Sequence, residues 1–127
     1  MVSIDGSWAD EVNMIYLDNP IGVGFSEGPT KVVNESQVAD SFIKFMTSFY
    51  KVHPEFTNSP FYITGESYAG HYVPPITLQV LRNNEGKATT KIPLRGVMIG
   101  NPYVDAILQR LLVRELDVAS GIVGTDW

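Results

Sequence analysis

The sequence contains no cysteine. This chain can therefore build neither a disulfide framework nor a thiolate metal site. It also lacks any apolar run of the roughly 18 residues that a membrane-spanning helix needs, so we predict no membrane partner. The first residues, Met1 to Gly6, lack the charged start and apolar stretch of a secretory signal. As written, the sequence predicts a chain that stays in the cytosol.

Positive charge is also scarce. Nine Lys and Arg residues stand against fourteen Asp and Glu, which gives a net charge of -5. This balance argues against nucleic acid as a partner. The 127 residues are 44% hydrophobic and 18% charged, which is typical of a globular chain. We expect one modest domain, or part of one, over residues 1–127.

A glycine pair near the start of the chain, Gly22 and Gly24, raises the question of a dinucleotide site. The sixth position of the Gly-x-Gly-x-x-Gly pattern is Glu27, and Asn19-Pro20 precedes the glycines where the motif requires a strand leading into a helix. No P-loop lysine is present either. We predict a loop at the carboxyl edge of a sheet, and neither a cofactor nor a metal.

Three apolar runs, at residues 14–17, 61–64 and 92–99, predict strands buried in a parallel sheet. Helical spacing of apolar residues predicts a helix from about Asn34 to just before His53-Pro54, begun by a capping box of Asn34 and Gln37. Residues 107–112 predict a last amphipathic helix. The alternation indicates an α/β fold with a parallel βαβαβ core.

The six residues from Gly65 to Gly70 directly follow the second of these runs. In a nucleophile elbow, a reactive serine sits between a strand and a helix, and the positions two before and two after it must be small. Ser67 occupies the serine position, and Gly65 and Ala69 are small. The sequence therefore predicts an elbow at Ser67.

The helix that follows the elbow contains two prolines. Pro74 and Pro75 remove amide donors and clash with carbonyls one turn back, so we expect the helix to break or kink there. A second helical piece is predicted from Pro75 to about Asn83.

The segment from Gly65 to Pro74, Gly-Glu-Ser-Tyr-Ala-Gly-His-Tyr-Val-Pro, resembles the nucleophile segment of the serine carboxypeptidases, peptidases of α/β-hydrolase fold. Residues 13–26 and 94–102 resemble the neighbouring strands and loops of that family. The resemblance covers nearly the whole chain but only the middle of a full-length member.

The resemblance implies roles for three neighbours. Ser67 is expected to be the catalytic nucleophile, and the backbone N–H of Tyr68 an oxyanion-hole donor. Glu66 is expected to bind the free C-terminal carboxylate of a peptide or protein substrate. Glu66 and the substrate carboxylate can share a proton only when one of the two groups is protonated. This requirement favours activity at acid pH.

A working serine enzyme also needs a base and an orienting carboxylate, in the order Ser, Asp or Glu, His for this fold. Only His53 and His71 are present, and neither fits the base. Asp105 is a candidate for orienting a base, but the resemblance places the catalytic Asp and His further along the chain. The glycine-rich oxyanion segment of the family is missing too.

Three functions stay open at this point. The first is a serine carboxypeptidase segment without its triad Asp and His, inactive by itself. The second is the acyl transfer carried out by plant relatives, although Glu66 and Ala69 favour the peptidase. The third is a non-catalytic remnant or interaction protein. A complete family member would reach the lysosome or vacuole or be secreted, and the sequon at Asn34 suits that route, though Asn34 suits a helix cap equally well.

Overall fold

The computed structural model describes residues 5–29 and 31–124. The chain divides into two compact units, one ending at Val32 and the other beginning at Val33. Within the described ranges, no helix is long and apolar enough to cross a membrane. The prediction of one domain over residues 1–127 stays a prediction.

The first unit contains one 3₁₀ turn, Trp8–Asp10, and a glycine-rich loop. The Asp18 carboxylate accepts a hydrogen bond from the Phe25 N–H at 2.9 Å, and Ser26 Oγ donates to the Asp18 carbonyl at 2.6 Å. Gly24 has φ +54°, and a Cβ there would overlap the Asp18 carboxylate. Asp18 thus closes the loop around a glycine that nothing larger could replace.

The predicted strand at residues 14–17 is wrong, because these residues have no regular secondary structure. Ile15 is 40% and Tyr16 78% exposed. An apolar run becomes a strand only when another strand satisfies its N–H and C=O groups, and the described part of the first unit contains none.

The described part of the second unit contains three α-helices, two strands and a short 3₁₀ turn, Pro54–Phe56. The helices and strands are α1 (Glu35–Val52), β1 (Phe61–Glu66), α2 (Ala69–Glu85), β2 (Leu94–Gly100) and α3 (Ala106–Ala119). β1 and β2 pair in parallel, with Glu66 opposite Gly100 at their carboxyl ends. The parallel pair, with helix α2 between its two strands, confirms the predicted α/β class, although the described residues form two strands where the sequence predicts three.

Helix α1 begins as the capping pattern predicts. Asn34 Oδ1 accepts from the Gln37 N–H at 3.0 Å, and Gln37 Oε1 accepts from the Val33 N–H at 2.9 Å. The reciprocal bond of a capping box thus reaches one residue further back than usual. The helix ends before His53, as predicted.

One face of the sheet is covered by α1 and α2. The Phe42 ring of α1 lies 6.3 Å from the Phe61 ring of β1. The core residues are all less than 9% exposed: Val38, Ala39, Phe42, Met46, Tyr50, Ile63, Val73, Ile76, Val80 and Ile92. On the opposite face, Tyr62 is 54% and Met98 52% exposed. Within the described part of the second unit, no helix or strand packs over these two side chains.

The predicted break in α2, with a separate helical piece from Pro75, is wrong, because one continuous helix runs through Pro74 and Pro75. The alternative, a kink at the prolines, stays a prediction. Buried residues flank the prolines, with Val73 before them and Ile76 and Val80 after them. Packing on both sides therefore holds the helix together through the two missing amide donors.

Helix α3 forms where the apolar pattern predicts, and the Asp105 carboxylate caps it by accepting from the N–H groups of Ile107 and Leu108 at 3.0 and 2.8 Å. Asp105 is thus a helix cap, and its expected help to a catalytic base has no support. None of the residues of α3 is buried by the described chain.

Candidate active site

Ser67 lies in the single tight turn between β1 and α2. Its backbone is left-handed, with φ +56°, a conformation that residues other than glycine rarely adopt. The strand ends one residue before it at Glu66, and the helix begins two residues after it at Ala69. The strand, the left-handed serine and the helix together form the backbone of the predicted elbow.

The small residues around Ser67 are required by packing. A Cβ at Gly65 would overlap the Cβ of Ala69 and lie 3.4 Å from Val73 Cγ2. A Cβ at Gly70 would overlap the carbonyl group of Tyr103, in the loop after β2. Strand, helix and loop thus approach one another as closely as glycine permits.

Hydrogen bonds hold both backbone polar groups of Ser67. Its N–H donates to the Gly100 carbonyl at 2.9 Å. Its carbonyl accepts from the Gly70 N–H at 3.0 Å and from the Tyr103 N–H at 2.8 Å. The side chain of Ser67 is exposed, so Oγ is accessible to a substrate.

The backbone N–H of Tyr68 donates no hydrogen bond to any of the described residues. Tyr68 lies just before α2, where the first N–H groups of a helix have no partner inside it. A free N–H directly after an exposed elbow serine is available to an oxygen that becomes negatively charged.

Glu66 is exposed at the last position of β1, and its Cγ lies beside Gly100 on the uncovered face of the sheet. No hydrogen bond ties its carboxylate to another described residue. The carboxylate next to the serine is therefore available to a ligand.

An aromatic cluster that the sequence analysis did not single out lies beside the serine: Tyr68, His71, Tyr72 and Tyr103. The Tyr68 ring centroid is 4.8 Å from that of His71 and 5.0 Å from that of Tyr72. Tyr103 lies 5.5 Å from His71, edge to face. Burial raises the pKa of Tyr72, and the negative charges of Tyr68 and Glu35 raise it further.

The four-residue spacing of Tyr68 and Tyr72 at the start of one helix could have revealed half of this aromatic cluster from the sequence. Tyr103 follows the neighbouring parallel strand, at the same edge of the sheet.

Neither histidine hydrogen-bonds to Ser67 in the part of the chain that the structure describes. His53 lies at the end of α1, where Nδ1 is 3.2 Å from a Glu55 carboxylate oxygen and the ring packs 5.0 Å from that of Phe49. A hydrogen bond from the backbone of Glu55 lowers the pKa of the Glu55 carboxyl group, and the hydrogen bond with His53 lowers this pKa further. His71 is half-buried between Tyr68 and Tyr103. The site thus has a serine and a donor but no bonded base.

The family model of the serine carboxypeptidases matches residues 1–125. The chain belongs to the serine carboxypeptidase family. This confirms the resemblance that the elbow segment carries.

Individual family members show the same relationship. The pheromone-processing carboxypeptidase KEX1 of Candida dubliniensis is 41% identical over 113 residues, which are 87% of this chain and 16% of that protein. Serine carboxypeptidase-like 48 of Arabidopsis thaliana is 41% identical over 105 residues, 80% of this chain and 21% of that protein. The chain thus spans about a fifth of the length of these curated relatives.

A solved structure matches as well. The prohormone-processing carboxypeptidase Kex1(Δ)p of Saccharomyces cerevisiae superposes with a TM-score of 0.77 at 26% identity, over 86% of this chain and 25% of that one. This likeness supports the partial α/β-hydrolase fold.

Proposed function

We propose that this chain supplies the nucleophile part of a serine carboxypeptidase that removes residues from the free C-terminus of peptides and proteins. The observation that carries the proposal is Ser67, an exposed serine with φ +56° directly before the free N–H of Tyr68. Membership in the serine carboxypeptidase family supports the proposed reaction class.

In this reaction Ser67 Oγ attacks the carbonyl carbon of the last peptide bond while a base removes the hydroxyl proton. The C–N bond then breaks, and the amine leaves with a proton returned by the base. Water hydrolyses the resulting serine ester. The Tyr68 N–H stabilises the negative oxygen formed in each half of the reaction.

The base and its orienting carboxylate are proposed to lie outside residues 1–127, because neither His53 nor His71 bonds to Ser67. Glu66 is proposed to bind the carboxylate of the substrate through a shared proton, which ties the activity to acid pH. Such a preference fits a lysosomal, vacuolar or secreted enzyme.

The test uses the longest natural chain that contains residues 1–127, called the parent chain below. A fluorophosphonate should label it at Ser67, as mapped by peptide mass spectrometry, and Ser67→Ala should abolish both the label and the release of C-terminal residues. Ser48→Ala, at an exposed serine of α1, is the matched control. An adduct at another residue, or full activity of Ser67→Ala, would contradict the proposal.

A further inference from the structure

The loop that follows β2 contains a second unusual backbone conformation. Asn101 has φ +40° and, with Ser67, is one of two residues other than glycine with positive φ in the described ranges. Asparagine tolerates this region better than most residues. Pro102 follows it and disfavours the right-handed helical conformation at Asn101. Such conformations often occur beside functional sites, where the surrounding structure imposes them.

The two ends of this corner hold Ser67 from both sides. Gly100, before Asn101, accepts from the Ser67 N–H, and Tyr103, after Pro102, donates to the Ser67 carbonyl. The left-handed turn at Asn101 brings the chain back toward the elbow within three residues. Gly70 allows the return, because a Cβ there would overlap the Tyr103 carbonyl.

Fixing the Ser67 carbonyl also fixes the Tyr68 N–H, because both belong to one planar peptide group. In a trans peptide the C=O and N–H bonds point in opposite directions. Donors at Gly70 and Tyr103 hold the carbonyl at 3.0 and 2.8 Å, so the N–H on the other side of the plane is directed away from them. That N–H has no acceptor among the described residues.

We propose that Asn101 is a positioning residue whose left-handed backbone, acting through the Tyr103 N–H and the Ser67 carbonyl, orients the Tyr68 N–H toward the oxyanion of the reaction. This inference rests on the proposed function. The side chain of Asn101 is exposed and bonds to no described residue, so its role lies in its backbone conformation.

The proposal predicts different results for two substitutions in the parent chain. Asn101→Gly keeps the left-handed conformation available and should retain kcat within about twofold. Asn101→Val disfavours that conformation and should lower kcat about 10- to 100-fold, in line with the effect of displacing an oxyanion donor. Because this donor acts in the transition state, KM should stay unchanged. Affinity for a peptide boronate, which carries the tetrahedral charge, should fall in parallel with kcat.

Gly121→Val is the matched control, because Gly121 has φ +69° and a Cβ there meets no atom within 4 Å. It introduces the same backbone strain outside the elbow and should leave kcat unchanged. If Asn101→Val fails to fold by circular dichroism, Asn101→Ala replaces it, with the same order of effects relative to Asn101→Gly.

Equal kcat for the Val (or Ala) and Gly variants would overturn the proposal, as would a loss that appears in KM alone. An equally large loss in Asn101→Gly would assign the role to the side chain and also overturn it. Full activity of Ser67→Ala would instead reject the proposed function, so the two failures are distinguishable.

Discussion

The side-chain amide of Asn84 hydrogen-bonds to both the N–H and the carbonyl group of Ile92. Asn84 Nδ2 donates to the Ile92 carbonyl at 2.7 Å, and Asn84 Oδ1 accepts from the Ile92 N–H at 2.9 Å. Asn84 lies near the end of α2, and Ile92, 1% exposed, lies just before β2. The amide thus bonds to the Ile92 backbone as a neighbouring strand would, and it fixes the position where β2 begins. The other end of β2, at Gly100, accepts the hydrogen bond from the Ser67 N–H.

Replacing this amide should destabilise the fold. Asn84→Leu leaves the N–H of the buried Ile92 without a partner, while the Ile92 carbonyl keeps the hydrogen bond from the Leu94 N–H, so the expected cost is about 1–3 kcal/mol. The measurement is urea unfolding of the parent chain. Asn58→Leu, at an exposed asparagine, should change the free energy of unfolding by less than about 0.5 kcal/mol. Equal stability of the two variants would show that the Asn84 bonds contribute nothing.

The contact between Gly65 and Ala69 can be tested by a double substitution. Gly65→Ala should lower stability by about 1–3 kcal/mol, because its Cβ would overlap that of Ala69. Ala69→Gly removes the obstructing Cβ, at a helix-propensity cost of up to about 1 kcal/mol. The double variant should therefore be more stable than additivity predicts, and should regain part of the activity lost by Gly65→Ala. Additive effects would show that the two side chains do not limit the elbow.

The role proposed for Glu66 predicts a selective loss. Glu66→Gln should reduce kcat/KM about 10-fold for a blocked dipeptide with a free carboxylate, because the amide replaces the short O–H···O hydrogen bond of a shared proton with a weaker N–H···O bond. Hydrolysis of an ester substrate without a free C-terminal carboxylate should change far less. In the wild type, activity on the free acid should fall as rising pH removes the shared proton. In the Gln variant that fall should shift or disappear.

The control for this experiment is Glu115→Gln, at an exposed glutamate of α3. It should leave both substrates and both pH profiles unchanged. Equal losses of Glu66→Gln on acid and ester, with an unaltered pH profile, would reject carboxylate recognition by Glu66.

Burial raises the pKa of Tyr50, a core residue of α1, and this predicts how stability depends on alkaline pH. Above about pH 10 an unfolded chain loses the tyrosine proton while the folded chain keeps it. The folded state then binds more protons, so stability falls as pH rises. Tyr50→Phe should make the decline between pH 9 and about 11 less steep in urea unfolding. Tyr16→Phe, at a 78% exposed ring, should not alter the slope. The same slope in both variants would contradict the argument.

Local features of the elbow and helices could be predicted from the sequence, because each depends on neighbouring residues. The cap at Asn34 and the glycine before Ser67 are examples. Residues 14–17 could not be placed correctly, because an apolar run does not reveal whether a partner strand is present. The helix break predicted at Pro74 and Pro75 was wrong for a related reason. Proline rules consider only the local backbone and omit the packing of Val73 and Ile76 that holds α2 continuous. The pairing of Tyr103 with Ser67 needs the register of β1 and β2, which no single segment contains.

The 127-residue chain alone should be inactive and loosely folded. The exposed face of its sheet carries Tyr62 and Met98, and the apolar residues Leu111 and Leu116 of α3 are 65% and 64% exposed. A parallel sheet is normally covered on both faces, so these surfaces favour loose packing or aggregation. Ser67 has no bonded base, and removing triad members costs most of the rate of a serine hydrolase.

The purified chain should therefore hydrolyse no blocked dipeptide between pH 4 and pH 8, and it should melt over a broad range in calorimetry with little cooperativity. The parent chain is the positive control, since it should turn over the same substrates and melt sharply. Ser67→Ala in the short chain shows whether any trace hydrolysis comes from this chain or from a contaminating hydrolase. Sharp melting of the short chain, together with hydrolysis that Ser67→Ala abolishes, would contradict the prediction. His53 or His71 would then have to act as the base, and His71, packed against the ring of Tyr68, is the nearer of the two in sequence to Ser67. His71→Ala would identify it, because only a base at that position would lose hydrolysis while keeping the melting transition.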